Sequence, residues 1–278
     1  MTFSIAARSD DGGMHGVAVA SKFLAVGAIV PAAQAGVGAV ATQAYANSAF
    51  REQGLTLLRT GVAAEETVAA LAAGDQGRAR RQFGVVDAEG DAATYTGEEC
   101  MDWAGGRAGD GFAIQGNILT GPEVLDEMER AWQDAGDLPF PERLFVSLRA
   151  GDLVGGDRRG KQAAALYVVG ESQGYGGGSD VAVDLRVDDH VEPVAELGRM
   201  LQLHRMYFTK ADPATLLRLE GDLAAEVRQM LAAVGHADDD LEAALENWAG
   251  AANLEERLAS GHIDPVVLGH LREQVARR

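Results

Sequence analysis

Strand-like apolar runs come in blocks along this chain, each parted from the next by a pair of helix-like segments, and that order excludes most architectures. Residues Thr2-Phe3-Ser4-Ile5-Ala6-Ala7-Arg8 alternate, turn at Asp10-Asp11-Gly12-Gly13 and return through Gly16-Val17-Ala18-Val19-Ala20-Ser21-Lys22, the pattern of a β-hairpin. Apolar runs at 26–33 and 36–42 add two strands. From Phe50 to Leu58 and from Ala64 to Ala73 the apolar period becomes helical, with Glu65 and Glu66 in a first turn, where the helix dipole favours acids. Strands return at 82–86 and 92–96, around the turn Asp87-Ala88-Glu89-Gly90, and at 111–115. Helical patterns at 122–134 and 141–148 follow, and strands at 163–169 and 181–187 close the series. A βαβαβ repeat would alternate single elements and a bundle would lack the strands, so the order predicts a layered α+β domain.

Beyond about Tyr207 the texture turns wholly helical. Asp212-Pro213 reads as a cap and first-turn proline ahead of Leu216, Leu219, Leu223, Val227, Met230 and Leu231, and Gly235 ends that helix. Helices are expected at 238–248 and 253–260, and Asp264-Pro265 opens a last one running to Arg277. The predicted organisation is one domain over 1–207 and a small all-α module over 208–278.

The chemistry-bearing residue is Thr2, directly behind Met1. A small residue there permits removal of the initiator, which leaves a hydroxyl and a free α-amine on one residue. That amine titrates near pH ~8, far closer to neutrality than a lysine, so Thr2 would carry its own base. The expectation is loss of Met1 alone, without a longer propeptide or an internal cut. Ser4 shares the face of Thr2 on a strand but lacks the terminal amine.

Local strings then carry a resemblance. Thr2-Phe3-Ser4-Ile5, Gly16-Val17-Ala18-Val19-Ala20-Ser21-Lys22-Phe23, Gly36-Val37-Gly38-Ala39-Val40-Ala41-Thr42-Gln43, Gly111-Phe112-Ala113-Ile114-Gln115-Gly116-Asn117 and Gly155-Gly156-Asp157 are similar to the domain of unknown function 1028 family. With the element order, they resemble the N-terminal-nucleophile (Ntn) hydrolase fold, the αββα sandwich of proteasome β subunits and penicillin acylases. The resemblance covers residues 2–208 and implies that Thr2 is the nucleophile, that Asn117 lies near its amine and that Asp157 polarises this group. The lysine that proteasomes place near the position of Val30-Pro31 is missing, and Lys22 stands where they have an acidic residue, which implies an exchange of charge between the two positions.

Ntn chemistry needs donors for an oxyanion, and Gln43, Asn47, Gln115 and Asn117 all follow predicted strand ends. Each amide either donates to the oxyanion, orients the amine or bonds a neighbouring loop backbone. Arg158, in the basic stretch Arg158-Arg159-Gly160-Lys161, is a candidate for a substrate carboxylate or belongs to a solvated turn. Asp180 ends the glycine-rich string from Gly174, which lacks the Lys-Ser/Thr helix start of a phosphate loop and is expected to face substrate. The tail resembles a small peptidoglycan-binding module through Leu241, Leu245, Trp248 and Asn253-Leu254-Glu255-Glu256-Arg257, with a dimerisation or lid role as the alternative.

These readings predict an amidohydrolase cleaving a C–N bond in a small amide, ureido compound or short peptide; the alternative is a non-catalytic binding or cell-wall-associated protein on the same fold. A formal net charge of −18 opposes nucleic acid and anionic membrane as partners. A homo-oligomer and a peptidoglycan fragment stay open as partners. The six histidines show no metal-ligand spacing, so neither metal nor cofactor is expected. Cys100 is the sole cysteine, which excludes an intrachain disulfide. No targeting segment and no long apolar run are legible, so the expected location is cytoplasmic.

Overall fold

The computed structural model describes residues 2–277; Met1, whose removal the sequence predicts, and Arg278 lie outside them. In chain order the first unit, residues 1–201, holds β1 (Thr2–Arg8), β2 (Met14–Ser21), β3 (Pro31–Gln34), β4 (Gly38–Ala44), α1 (Ala49–Arg59) and α2 (Ala64–Gly74). It continues with β5 (Arg81–Asp87), β6 (Ala92–Thr96), β7 (Gly105–Gly109), β8 (Phe112–Asn117), α3 (Glu123–Asp134), α4 (Phe140–Leu153), β9 (Ala163–Gly170) and β10 (Val181–Val187). Helix α5 (Pro193–Phe208) gives its first turns to this unit and its last to the second, 202–278. The second unit adds α6 (Gly221–Ala233), α7 (Leu241–Ala251) and α8 (Pro265–Ala276), with two-residue strands β11 (Leu217–Arg218) and β12 (His262–Ile263). The chain is thus mixed α+β, with a C-terminal helical region.

Two antiparallel sheets organise the first unit, one in the order β10-β9-β2-β1-β8-β7 and the other β3-β4-β5-β6. Because strand side chains alternate in direction, β1 sends Phe3, Ile5 and Ala7 to one face, where they pack with Leu125, Met128 and Trp132 of α3 and Leu144 and Leu148 of α4. Its other face presents Ala6, beside Val17 and Val19 of β2, to Ala39 and Ala41 of β4 and Val86 of β5. These small side chains fill the space between the sheets. Val40, Phe83 and Val85, on the far face of the second sheet, are covered by Phe50, Leu55 and Leu58 of α1 and Val68 and Leu71 of α2.

Several local expectations are corrected. Residues 26–28 form a 3-10 turn rather than a strand, entered through Ala25 at φ 52°. Strand β7 escapes the periodicity reading because its glycine-rich string Gly105-Gly106-Arg107-Ala108-Gly109 carries no apolar alternation; its pairing with β8 defines it. Asp212 caps no long helix: its side chain accepts from the Ala214 N–H at 2.9 Å, a local turn that competes with helix, and α6 starts only at Gly221. The segment expected to be helical at 253–260 holds one 3-10 turn, Glu255–Arg257, after which β12 pairs with β11. At α8 the reading matches, since Asp264 accepts from the Val266 N–H at 2.7 Å as an N-cap.

Candidate functional site

Thr2 starts the central strand β1 and projects into the space between the sheets, because it shares the two-residue period of Ser4 and Ala6. Across β2 the hairpin register, which pairs Phe3 with Ala20, brings the Thr2 and Ser21 hydroxyls to 3.1 Å, both buried. Across β8 Thr2 pairs with Asn117. Sequence reasoning named Asn117 but missed Ser21, although counting residues back from the turn at 9–14 puts the two hydroxyls opposite each other.

Below Thr2 lies a wholly buried amide network built from both sheets. Gln43 on β4 directs Nε2 at three acceptors: the carbonyls of Thr2 and Gln115, each at 3.1 Å, and Gln82 Oε1 at 2.9 Å. Asn117 Nδ2 donates to Gln82 Oε1 at 2.8 Å and reaches the Thr2 carbonyl at 3.5 Å. Gln82, the register partner of Gln43, anchors the set by donating to the Gly116 carbonyl at 2.7 Å. Ser4 closes it, donating to Gln43 Oε1 at 2.6 Å and accepting from Gln115 Nε2 at 2.7 Å. Room for Gln115 exists because residue 84 is glycine: a Cβ there would lie 1.9 Å from Gln115 Oε1.

These amide N–H groups are spent on the network, so Gln43, Gln115 and Asn117 hold the backbone and face of Thr2. Burying so many polar atoms is tolerable because most of them bond one another, which restricts the geometry; Gln115 Oε1 has no hydrogen-bond partner among the described residues. Gln82 escaped the sequence reading. Its signal was available: it is an amide at the start of an otherwise apolar strand, as Gln43 is at the end of one.

Asp157 reaches the same end of the sheet from the α4–β9 connection. Its carboxylate, 2% exposed, accepts the Lys22 N–H at 2.6 Å and the Arg159 N–H at 2.8 Å, and it pairs with the Arg159 guanidinium at 3.2 Å. Gly155 at φ 123° and Gly156 at φ 50° make this approach possible, and a Cβ on Gly156 would press on the Phe3 ring at 3.0 Å. Asp157 therefore fixes the chain one residue beyond Ser21. Lys22 contributes its backbone to this contact; its exposed ammonium donates to the Lys161 carbonyl at 3.1 Å.

The remaining candidates disperse. Arg158 is exposed, and its N–H bonds the carbonyl of Ile118, one residue past Asn117, so it borders the Thr2 end. Asn47 accepts from the Ala49 N–H at 3.2 Å at the start of α1 and lines an open cleft of about 500 Å³ between α1 and α2, outside the amide network. Asp180 sits at the opposite end of the sheet: its carbonyl accepts from Gly170, which pairs with Met14, whereas the Thr2 end is marked by Ser21 paired with Ala163. The seven steps from Met14 to Ser21 amount to roughly 23 Å of strand. Its side chain serves the loop by accepting from the Ser172 N–H at 3.0 Å.

Cys100 is half-buried, donates to the Arg81 carbonyl at 3.3 Å, and has its thiol pKa pushed up by burial. Among the described residues no group of three His, Cys, Asp or Glu side chains is placed to hold a metal ion, and no helix is long and apolar enough to cross a membrane.

Comparison with known proteins places this geometry in a family. No curated protein matches the chain. A solved structure, protein SPO2555 from Silicibacter pomeroyi, which carries the same family model, is 31% identical and superposes with a TM-score of 0.66, over 82% of this chain and 94% of that one. A second family model, described as "Putative peptidoglycan binding domain", matches residues 207–271. Residues 2–197, which include Thr2, the amide network and Asp157, match the model described as "Family of unknown function (DUF1028)", and the chain belongs to that family.

Proposed function

We propose that the first unit is an Ntn hydrolase of αββα architecture that cleaves a C–N bond in a small amide, ureido compound or short peptide. The observation that carries this reading is the seating of Thr2: first residue of the central strand, hydroxyl on Ser21, carbonyl on Gln43 and Asn117. The helix pairs on the outer faces of two facing sheets support the same reading.

On this reading loss of Met1 frees the Thr2 amine, which takes the Oγ1 proton as Oγ1 attacks the substrate carbonyl carbon. The C–N bond breaks, the proton leaves with the amine product, and water then cleaves the acyl ester to restore Thr2. Gln43, Gln82 and Asn117 keep the Thr2 backbone fixed through these steps, and Asp157, acting through the Lys22 N–H, holds the strand end that carries Ser21. The geometry is built before substrate arrives, which lowers the cost of reaching the transition state.

Two measurements test it. Intact mass should show the chain without Met1, and retention of Met1 would rule out Thr2 as nucleophile. Thr2→Ala should abolish ammonia or amine release from any amide that the parent turns over, whereas Thr2→Ser should retain part of it. Full activity in Thr2→Ala would end this proposal.

The match of residues 207–271 favours a second reading, a cell-wall-associated protein that binds glycan. Trp248 in that region is buried and gives its indole N–H to Gln274 at 2.7 Å, so a glycan would meet other side chains. Co-sedimentation with insoluble peptidoglycan, with no amide turnover, would support this reading over the first.

A further inference from the structure

Ser21 is a hydroxyl where the strand pattern calls for an apolar side chain. On β2 the inner face carries Val17 and Val19 into the core between the sheets, and the same two-residue period sends Ser21 there after them. Its side chain is buried, and its register partner on β9, Ala163, is small and apolar. A buried hydroxyl costs free energy unless it is hydrogen-bonded, and Ser21 Oγ meets Thr2 Oγ1 at 3.1 Å. The backbone that carries it is held from three directions: by β1 through the hairpin register, by β9 at Ala163 and, one residue on, by the Asp157 carboxylate on the Lys22 N–H at 2.6 Å. The chain therefore places a second hydroxyl against the proposed nucleophile, on a strand end fixed from outside the hairpin.

We infer that Ser21 is a catalytic residue of this site, its hydroxyl donating to Thr2 Oγ1 while the bond between Oγ1 and the acyl carbon forms and breaks. The inference rests on the amide-hydrolase reading of Thr2. At 3.1 Å either oxygen can donate, and the chemistry sets the direction. Thr2 Oγ1 carries one proton, which must go to the α-amine as Oγ1 attacks, so the hydrogen between the two oxygens is the one on Ser21. In the second half of the reaction water bonds the acyl carbon and gives a proton to the amine. The Oγ1–C bond then breaks with its electron pair going to Oγ1, the free acid leaves, and the ammonium returns a proton to Oγ1. Negative charge grows on Oγ1 before that proton arrives, and a donor already in place stabilises it. Ser21 keeps its own proton throughout. Loss of one neutral hydrogen bond to the departing oxygen should slow this step by roughly tenfold.

The test uses the full-length protein and p-nitrophenyl acetate, an activated acyl donor that needs no knowledge of the natural substrate. Intact mass follows the acetyl adduct, and cleavage by hydroxylamine identifies it as an ester. The expected result is an ester adduct on the parent that Thr2→Ala lacks, with a lifetime about tenfold longer in Ser21→Ala and close to the parent's in Ser21→Thr, which keeps the hydroxyl. A merely structural role would lower the adduct yield and the urea midpoint together and leave the lifetime of the adduct unchanged. A Thr2-dependent adduct of equal lifetime in parent and Ser21→Ala overturns the role of Ser21 and leaves the Thr2 mechanism standing. So does a lifetime lengthened equally in Ser21→Ala and Ser21→Thr, since the hydroxyl would then not be the cause. No Thr2-dependent adduct on a parent that has lost Met1 overturns the hydrolase reading, and the role of Ser21 with it.

Discussion

At the scale of single residues, the site separates what a side chain does from what its backbone does. Lys22 draws attention in the sequence by its charge, yet the contact that matters locally is its N–H on Asp157, which any residue except proline supplies. An electrostatic stabiliser is worth roughly 10²-fold or more in rate, which is the loss expected of Lys22→Ala if its charge replaces the missing lysine. The ammonium instead bonds the Lys161 carbonyl, so Lys22→Ala should fall well short of that loss and shift stability by less than about 0.5 kcal/mol. Asp157→Ala should behave in the opposite way. It strips the Lys22 and Arg159 N–H groups of their acceptor, at a cost of about 1–3 kcal/mol in urea unfolding, and it loosens the Ser21 end of β2. Equal effects of the two substitutions in paired rate and unfolding measurements would overturn this division of roles.

At the scale of elements, the inner face of the long sheet is polar at both ends and small and apolar between. The amide network occupies one end. At the other, strand register sets His15 on β2 directly opposite Arg8 on β1. The imidazole is fully buried, and neither ring nitrogen has a hydrogen-bond partner among the described residues. Burial lowers its pKa, with the neighbouring Arg8 charge acting in the same sense and the Asp87 contacts opposing. The unfolded chain therefore binds a proton more readily, near pH ~6.5, than the folded one does, and stability rises with pH across that range. The stabilisation is present above pH ~6.5 and is lost as pH falls below it. Urea midpoints from pH 8 to pH 5 should fall more steeply in the parent than in His15→Leu. Parallel curves would show that His15 binds its proton equally well in the folded and unfolded chain, and would refute this.

At the scale of the whole molecule, each of the two units has a core of its own. The second gathers Val227, Leu231, Leu245, Trp248, Ile263, Leu268 and Leu271 around one buried ion pair, Arg257 with Asp264 at 2.8 Å. Arg257 also donates to the Met206 carbonyl at 2.6 Å and the Arg205 carbonyl at 2.8 Å, tying the end of α5 to the start of α8. Removing one member of a buried pair leaves the other charge stranded, so Arg257→Met should destabilise this unit by about 3–5 kcal/mol. Hydrogen exchange at the α6, α7 and α8 amides checks it, and unchanged protection there would refute it.

The sequence by itself determined the order of elements, the first hairpin and the place of Thr2 at its head. Each of these depends on near neighbours: a two-residue or 3.6-residue apolar period, a Gly/Asp turn, and a register counted back from that turn. It did not determine β7, whose glycines carry no period, or the late start of α6, where Asp212 folds back on its own backbone. The tertiary structure alone decided which polar residues meet. Gln43, Gln82, Gln115 and Asn117 come from three strands and two sheets, and Asp157 reaches across 135 residues to the Lys22 N–H. Asp180, equally polar and equally close to glycines, is carried to the other end of its sheet. Periodicity records which face of a strand is buried. The register between strands distant in sequence is set by how their side chains fit, and that fit exists only once the two sheets have closed on each other.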